Sequence, residues 1–193
     1  MERSAPVGAV ILAAGSSRRF GSAKQLAMLD GRSLLEHAIR SAVEAGLTPV
    51  VAVVPTWLTR PASLDAEWLQ WVRNPHPGRG VSVSLRLGLR AIGDDATAAV
   101  ILLGDQPRLG PSIIGALLAA RGDRPIVASE ADGLLAPPLL LERSAFGLAE
   151  AAIGDIGLRQ ILRDHPELVR GVPIDRHPPD VDTPDDLAAL ERP

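Results

Sequence analysis

The sequence predicts a doubly wound α/β fold with a mostly parallel sheet. Three observations predict it. Short continuous apolar runs recur, as strands buried on both faces require. A capping box opens an amphipathic helix soon after the first run. Strand, loop, helix and strand then alternate along the chain, which is the βαβ pattern with its right-handed crossover.

Val7-Gly-Ala-Val-Ile-Leu-Ala13 is the first strand, ended by Gly15. Ser33-Leu-Leu-Glu36 starts a helix, because the Ser hydroxyl takes an orphan N–H and the Glu reaches back. That helix runs to about Ala45, and Gly46 stops it. Val50 to Val54 is the second strand, and Trp68 to Val72 reads as a helix end running into a short strand. Val81, Leu85, Leu89 and Ile92 share one face of a helix that follows the loop Asn74 to Gly80. Ala98 to Leu103 is the third clear strand, Pro111 opens a helix to about Ala120, and Ile126 to Ala128 is a fourth strand. Ile156 to Arg163 reads as helical and Leu168 to Ile174 as extended. Thr183 caps a last helix, with Pro184 at its first position and acids in its first turn. The Pro/Gly-rich pieces fall between elements, so residues 1–193 are expected to form a single domain.

Composition narrows the function. A net charge of −3 argues against nucleic acid as a partner. The chain has no Cys, which excludes disulfides, thiolate metal sites and a Cys nucleophile. The first apolar run is too short to span a membrane and lacks a signal peptide's layout, so no membrane partner and a cytoplasmic location are expected. His76, His165 and His177 sit in Pro-rich loops and His37 inside a helix, so the histidines do not form a metal set. Ser16 and Ser17 lack the surroundings of a nucleophile elbow and read as hydroxyl donors to phosphate.

Lys24 is the one lysine among 20 basic residues. In so Arg-biased a chain it is either an accident or a position that a rigid guanidinium fills badly. Its surroundings favour the second reading. It closes a Gly- and Ser-rich loop directly after the first strand, where small residues let backbone N–H groups cradle an anion. Arg18 and Arg19 add charge to that loop; Arg18 alone reads as a surface residue, Arg19 with Lys24 as a phosphate contact. The loop fits neither the P-loop nor the dinucleotide fingerprint. Asp105 follows the third strand in Leu103-Gly-Asp-Gln-Pro107, where a carboxylate would emerge at the crevice and suit a hard cation. Of the acids between Asp180 and Asp186, Asp185 and Asp186 are explained by the helix start. Asp180 or Asp182 would supply a second carboxylate, and Asp182, next to the cap, is preferred.

Taken together, these segments resemble a known family. Leu12-Ala-Ala-Gly-Ser-Ser-Arg-Arg-Phe-Gly-Ser-Ala-Lys-Gln-Leu26 resembles the opening motif of the MobA-like nucleotidyltransferases, L-A-[AG]-G-x-S-x-R-[MF]-G-x-x-K. Ala14 and Lys24-Gln-Leu are similar to the molybdenum cofactor cytidylyltransferase branch. Further similar segments are Asn74…Gly80-Val-Ser-Val-Ser-Leu85…Gly88-Leu89, Gly104-Asp-Gln-Pro107, Gly154-Asp-Ile-Gly-Leu-Arg159 and Val181-Asp-Thr-Pro-Asp-Asp-Leu187. At Gly133-Leu-Leu-Ala-Pro-Pro138 the chain departs from the family's G-x-x-G-[HN]-P, with Ala136 for the second Gly and Pro137 for the His or Asn.

The resemblance implies a three-layer α/β/α Rossmann-like nucleotidyltransferase fold. It implies that Leu12, Ala13, Ala14, Gly15, Ser16 and Ser17 bind a nucleoside triphosphate, CTP being favoured, with Asn74, Gly80 and Ser84 near base and ribose. Arg19 and Lys24 would neutralise phosphates and act with Asp105 in catalysis, while Asp105 and Asp182 hold Mg²⁺. The acceptor it implies is a phosphorylated pterin, molybdopterin, with a molybdoenzyme or its chaperone receiving the product. Transfer from GTP, another phosphorylated acceptor, and a nucleotide-binding module without turnover are the competing expectations. A redox enzyme has no flavin or nicotinamide signature to support it.

Overall fold

Alternation sorts the first strand's side chains onto two faces, and helices cover both. In the computed structural model, which describes residues 6–17, 19–152, 154 and 157–191, that strand is β1 (Val7–Leu12). Next come a hairpin of β2 (Met28–Leu29) and β3 (Arg32–Ser33), then α1 (Leu34–Glu44), β4 (Val50–Pro55) and β5 (Leu69–Asn74). The middle of the chain forms α2 (Val81–Ala91), β6 (Ala98–Leu103), α3 (Pro111–Ala119), β7 (Ile126–Ala131) and β8 (Leu134–Glu142). It ends with α4 (Phe146–Ala151), α5 (Gly157–Asp164), β9 (Val169–Pro173) and α6 (Pro184–Glu191).

Seven strands form one sheet in the order β5-β4-β1-β6-β8-β7-β9. The pairs β5–β4, β4–β1, β1–β6 and β7–β9 are parallel, and β8 alone of the seven runs antiparallel to its neighbours. Ala9, Ile11 and Ala13 face a core with Leu35 and Ile39 of α1 and Ile114 and Leu117 of α3. Val10 and Leu12 face the opposite core, with Leu85 and Leu89 of α2, Ala149 of α4 and Ile161 of α5. The result is a three-layer α/β/α sandwich of Rossmann-like type.

The structure corrects several local expectations. Trp68 precedes β5 without a helix, and α4 was not foreseen. Ile126 to Ala128 is the start of a longer strand, β7, whose partner β8 was missed altogether. Pro137 and Pro138 argue against a strand, since Pro cannot donate to a ladder. They are tolerated because the pairing skips there: Ala128 opposes Leu139, but Ser129 opposes Ala136. The hairpin turns through Asp30 (φ 48°) and Gly31 (φ 78°), an Asp-Gly signal that was overlooked. The expected cap of α1 is present, with Ser33 and Glu36 bonded reciprocally. Arg18 and the Asp155-Ile156 part of the Gly154–Arg159 motif lie outside the described residues.

Helix α2 lies directly on β1 because Gly88 has no side chain. A Cβ at Gly88 would overlap the Val10 side chain and come within 3.2 Å of Val53. Val is stiff and cannot turn aside cheaply. Gly88→Ala is therefore expected to cost about 1–3 kcal/mol by overpacking, measured by urea unfolding. An unchanged midpoint would show that α2 has room to lift.

Candidate functional site

β1 is the strand at which the sheet's winding reverses, with β4 on one side and β6 on the other. The chain leaves β1 towards β4 and leaves β6 towards β7, so the two loops part in opposite directions along the sheet and open a crevice at the strands' carboxyl ends. Gly104 lets the two strand ends close on each other. Its N–H donates to Leu12 O at 3.0 Å, and a Cβ there would stand 2.7 Å from Ala13 Cβ. Asp105 follows at once and so emerges beside the loop after β1.

That loop is shaped from below. Gln25 is 2% exposed; its Nε2 donates to Ala13 O at 2.8 Å and Gly15 O at 3.0 Å, and its Oε1 accepts from Ser17 Oγ at 3.2 Å. Ser17 itself is held in the left-handed region at φ 51°, uncommon for a residue with a side chain. The N–H groups of Ala14, Gly15, Ser16 and Ser17 have no hydrogen-bond partner among the described residues. Adjacent free N–H groups in a Gly-rich loop form an anion cradle.

Lys24 stands at the loop's far end, on a 3-10 turn (Lys24–Leu26). Its Nζ donates to Asp105 Oδ2 at 2.7 Å, Asp182 Oδ1 at 3.0 Å and Val181 O at 3.1 Å. All three donors of the ammonium are used. Burial pushes this ammonium's pKa down, but the charge and hydrogen bond of Asp105, then those of Asp182, outweigh it and hold the group above its ordinary value. Arg19 donates to the other oxygen of Asp182 at 2.8 Å from a side chain that is 71% exposed. Solvent screens that pair, so Arg19 adds reach more than stability.

The acid side is fixed by the chain's last turn. Val181 is fully buried with Leu29 and Leu34, and its N–H donates to Asp105 O at 2.9 Å. The N–H groups of Asp182 and Thr183 both donate to Asp186 Oδ2, and Thr183 Oγ1 accepts from Asp186 N at 3.2 Å. Thr183 is thus the cap that the sequence predicts for α6. Asp180 is turned elsewhere, accepting from Gln106 Nε2 at 2.9 Å. Burial first, then the charge of Asp105, lifts the Asp180 carboxyl above its usual range.

A cleft of about 410 Å³ runs between these loops and the N-terminus of α2. Of the residues singled out in the sequence, Leu12, Ala13, Ala14, Gly15, Ser16, Lys24, Gly80, Ser84 and Asp105 line it. A second hollow, of about 380 Å³, shares Gly15, Ser16 and Lys24 with it and adds Ser17, Arg19 and Asp182. Asn74 is not among the lining residues. It is fully buried, donating to Ser84 Oγ at 2.9 Å and accepting from His76 N at 2.8 Å, so it holds the wall rather than forming it. Gln25, next to Lys24, has no signal of its role in the sequence, because the carbonyls it holds lie 12 and 10 residues away along the chain.

Asp105 and Asp182 fit a hard cation. Both carboxylates lie within 3.0 Å of one nitrogen, and Asp105 Oδ1 is buried without a hydrogen-bond partner. Among the described residues no cluster of three or more His, Cys, Asp or Glu is arranged around a metal position. A cation held here would complete its shell with oxygens of a phosphate or water, as Mg²⁺ does.

Comparison with known proteins agrees with this fold. Residues 9–169 match the MobA-like NTP transferase domain family. The chain is 29% identical over 198 residues to the purine catabolism protein PucB of Bacillus subtilis, with 95% of each chain covered. It is also similar to the crystal structure of Rv0371c from Mycobacterium tuberculosis, with a TM-score of 0.86, 26% identity, and 97% and 99% of the two chains covered. A manganese complex of that same mycobacterial protein superposes with a TM-score of 0.81 at 25% identity, covering 96% and 97% of the chains.

Because the Lys24 ammonium separates two acids, its removal leaves like charges facing each other. Lys24→Met is expected to lower stability by about 1–3 kcal/mol in ligand-free protein. Added Mn²⁺ should restore more stability to the variant than to wild type, since the ion replaces the lost charge. Urea unfolding with and without Mn²⁺ checks both effects; a variant as stable as wild type would mean that the ammonium does not hold the acids.

Proposed function

The chain belongs to the MobA-like NTP transferase domain family, a nucleotidyltransferase family, and from that premise we propose that it transfers CMP from CTP to a phosphorylated acceptor, molybdopterin or the molybdenum cofactor, with release of pyrophosphate. Residues 1–193 act as one such unit, and the product passes to a molybdoenzyme or its chaperone. The observation that carries this reading is the Lys24 ammonium bonded at once to Asp105 and Asp182, beside four loop amides with no partner among the described residues.

The triphosphate lies along the loop of residues 12–17, its anionic oxygens on the free N–H groups of Ala14 to Ser17. The positive end of α2, beginning after Gly80, faces the same cleft and favours that charge. Lys24 turns from the two carboxylates to the α- and β-phosphates, where a mobile point charge follows the charge that develops on the leaving group. Arg19, exposed and paired with Asp182, closes over the phosphate side. An oxygen of the acceptor's phosphate attacks the α-phosphorus in line; that P–O bond forms as the bond to the β-phosphate oxygen breaks and pyrophosphate leaves. Mg²⁺ on Asp105 and Asp182 would supply charge neutralisation for the attacking oxygen and the phosphates.

Ala14 supports a pyrimidine. It lines the cleft at a position where guanylyltransferases of the family usually have Gly, and an added methyl leaves less space for a base. Asn74 and Ser84, bonded to each other, hold that wall as a positioning pair. The Gly133–Pro138 stretch lies at the start of β8, at the sheet end shared with Asp105, and would face the acceptor. One observation favours a different acceptor: Ala136 and Pro137 offer no side-chain hydrogen bond where the family pattern has His or Asn.

Pyrophosphate release with CTP, GTP and ATP against a panel of phosphorylated pterins tests the reading. CTP with Mg²⁺ is expected to be the preferred donor. Lys24→Ala and Asp105→Ala should each lose about a hundredfold or more of turnover while remaining folded. Lys24→Arg should be impaired less, because it keeps the charge and loses the point geometry. Near-normal release from either Ala variant would overturn the assignment. Nucleotide binding without release for any acceptor would support the non-catalytic module instead.

A further inference from the structure

We propose that Gln25 is the positioning residue that sets the phosphate loop in its binding shape, and that its carboxamide is what the position requires. The inference rests on the phosphate-binding reading of the cleft. Gln25 borders the cleft, but its side-chain hydrogen bonds all go to the loop, at Ala13, Gly15 and Ser17. It acts through the backbone of residues 13–17.

The 3-10 turn at Lys24–Leu26 has three residues per turn, so successive side chains leave it in different directions. Lys24 goes to the acids, and Gln25 goes under the loop. There it spends both amide hydrogens on carbonyls, Ala13 O and Gly15 O, and its oxygen on Ser17 Oγ. In a trans peptide the C=O and the next N–H point opposite ways. Drawing Ala13 O and Gly15 O towards Gln25 therefore turns the N–H groups of Ala14 and Ser16 away from it. Neither amide has a hydrogen-bond partner among the described residues, and both residues line the cleft. Ser17, in its left-handed conformation, is tied from two sides: its Oγ donates to Gln25 and accepts from Lys24 N at 3.4 Å. The same turn thus couples the placement of the ammonium to the shape of the amide cradle.

Two donors and one acceptor in one planar group are what a carboxamide offers. Met matches Gln in length and supplies no hydrogen bond. An ionised Glu would set a negative charge against two carbonyl oxygens, but a protonated Glu regains one donor. Burial raises the pKa of such an acid, so the recovery should begin at mildly acidic pH, above the ordinary value of about 4.3.

The probes are inorganic tripolyphosphate and CTP, each with Mg²⁺, measured by calorimetry on the full chain. Gln25→Met is expected to weaken both by about tenfold, the worth of one or two lost loop contacts. Equal losses for the two probes would place the effect on the phosphates and not on the base. In turnover assays with CTP varied the same variant should raise the KM for CTP more than it lowers kcat. Gln25→Glu should bind worse than Gln25→Met near neutral pH and recover relative to wild type as the pH falls, while Gln25→Met shows no such recovery. Circular dichroism confirms that each variant is folded. Wild-type affinity in Gln25→Met, or a Gln25→Glu variant without pH recovery, overturns the inference and leaves the proposed function standing. Failure of wild type to bind either probe overturns the proposed function itself.

Discussion

The Lys24 ammonium ties together three segments that are remote in sequence. It reaches Asp105 across 81 residues and Asp182 across 158, and it also takes the carbonyl of Val181. The Lys24 side chain is 12% exposed, and a half-enclosed charge needs such partners. Remove the ammonium and the two acids repel; remove the acids and the amine is left without counter-charge. The crevice is therefore an electrostatic closure before it is a binding site, and it sets the two proposed metal carboxylates beside the loop after β1.

Close backbone approach is the second constraint. Gly104 lets β6 meet the end of β1, and Gly88 lets α2 lie on the same strand. These contacts bring the loop after β1, the carboxylate after β6 and the N-terminus of α2 around one cleft. Neither glycine is needed for a turn here. Each is needed because a methyl group would push two elements apart by more than close packing allows.

Much of the fold was legible because the strands near the centre are buried on both faces. Val7 to Leu12, Val50 to Val54 and Ala98 to Leu103 read as continuous apolar runs, and each is a parallel strand. Both caps, Ser33 and Thr183, were read from local chemistry that needs no tertiary partner. β8 was illegible for the opposite reason. Pro137 and Pro138 break the local strand signal, and only a skipped pairing with β7 accommodates them. Asn74 was placed by motif near base and ribose, yet it is buried behind Ser84, because a motif records position along the chain and not which side chain lines a cavity.

The sequence by itself determined the central strands β1, β4 and β6, the caps of α1 and α6, and the marked chemistry of Lys24, Asp105 and Asp182. It did so because periodicity, caps and charge are local properties of the chain. Only the tertiary structure decided that one nitrogen stands between two carboxylates, that Asp180 faces Gln106 instead, and that Gln25 supports the loop from beneath. Those are hydrogen-bond pairings, set by which groups the packed sheet brings within about 3 Å of one another. Distance along the chain carries no record of them.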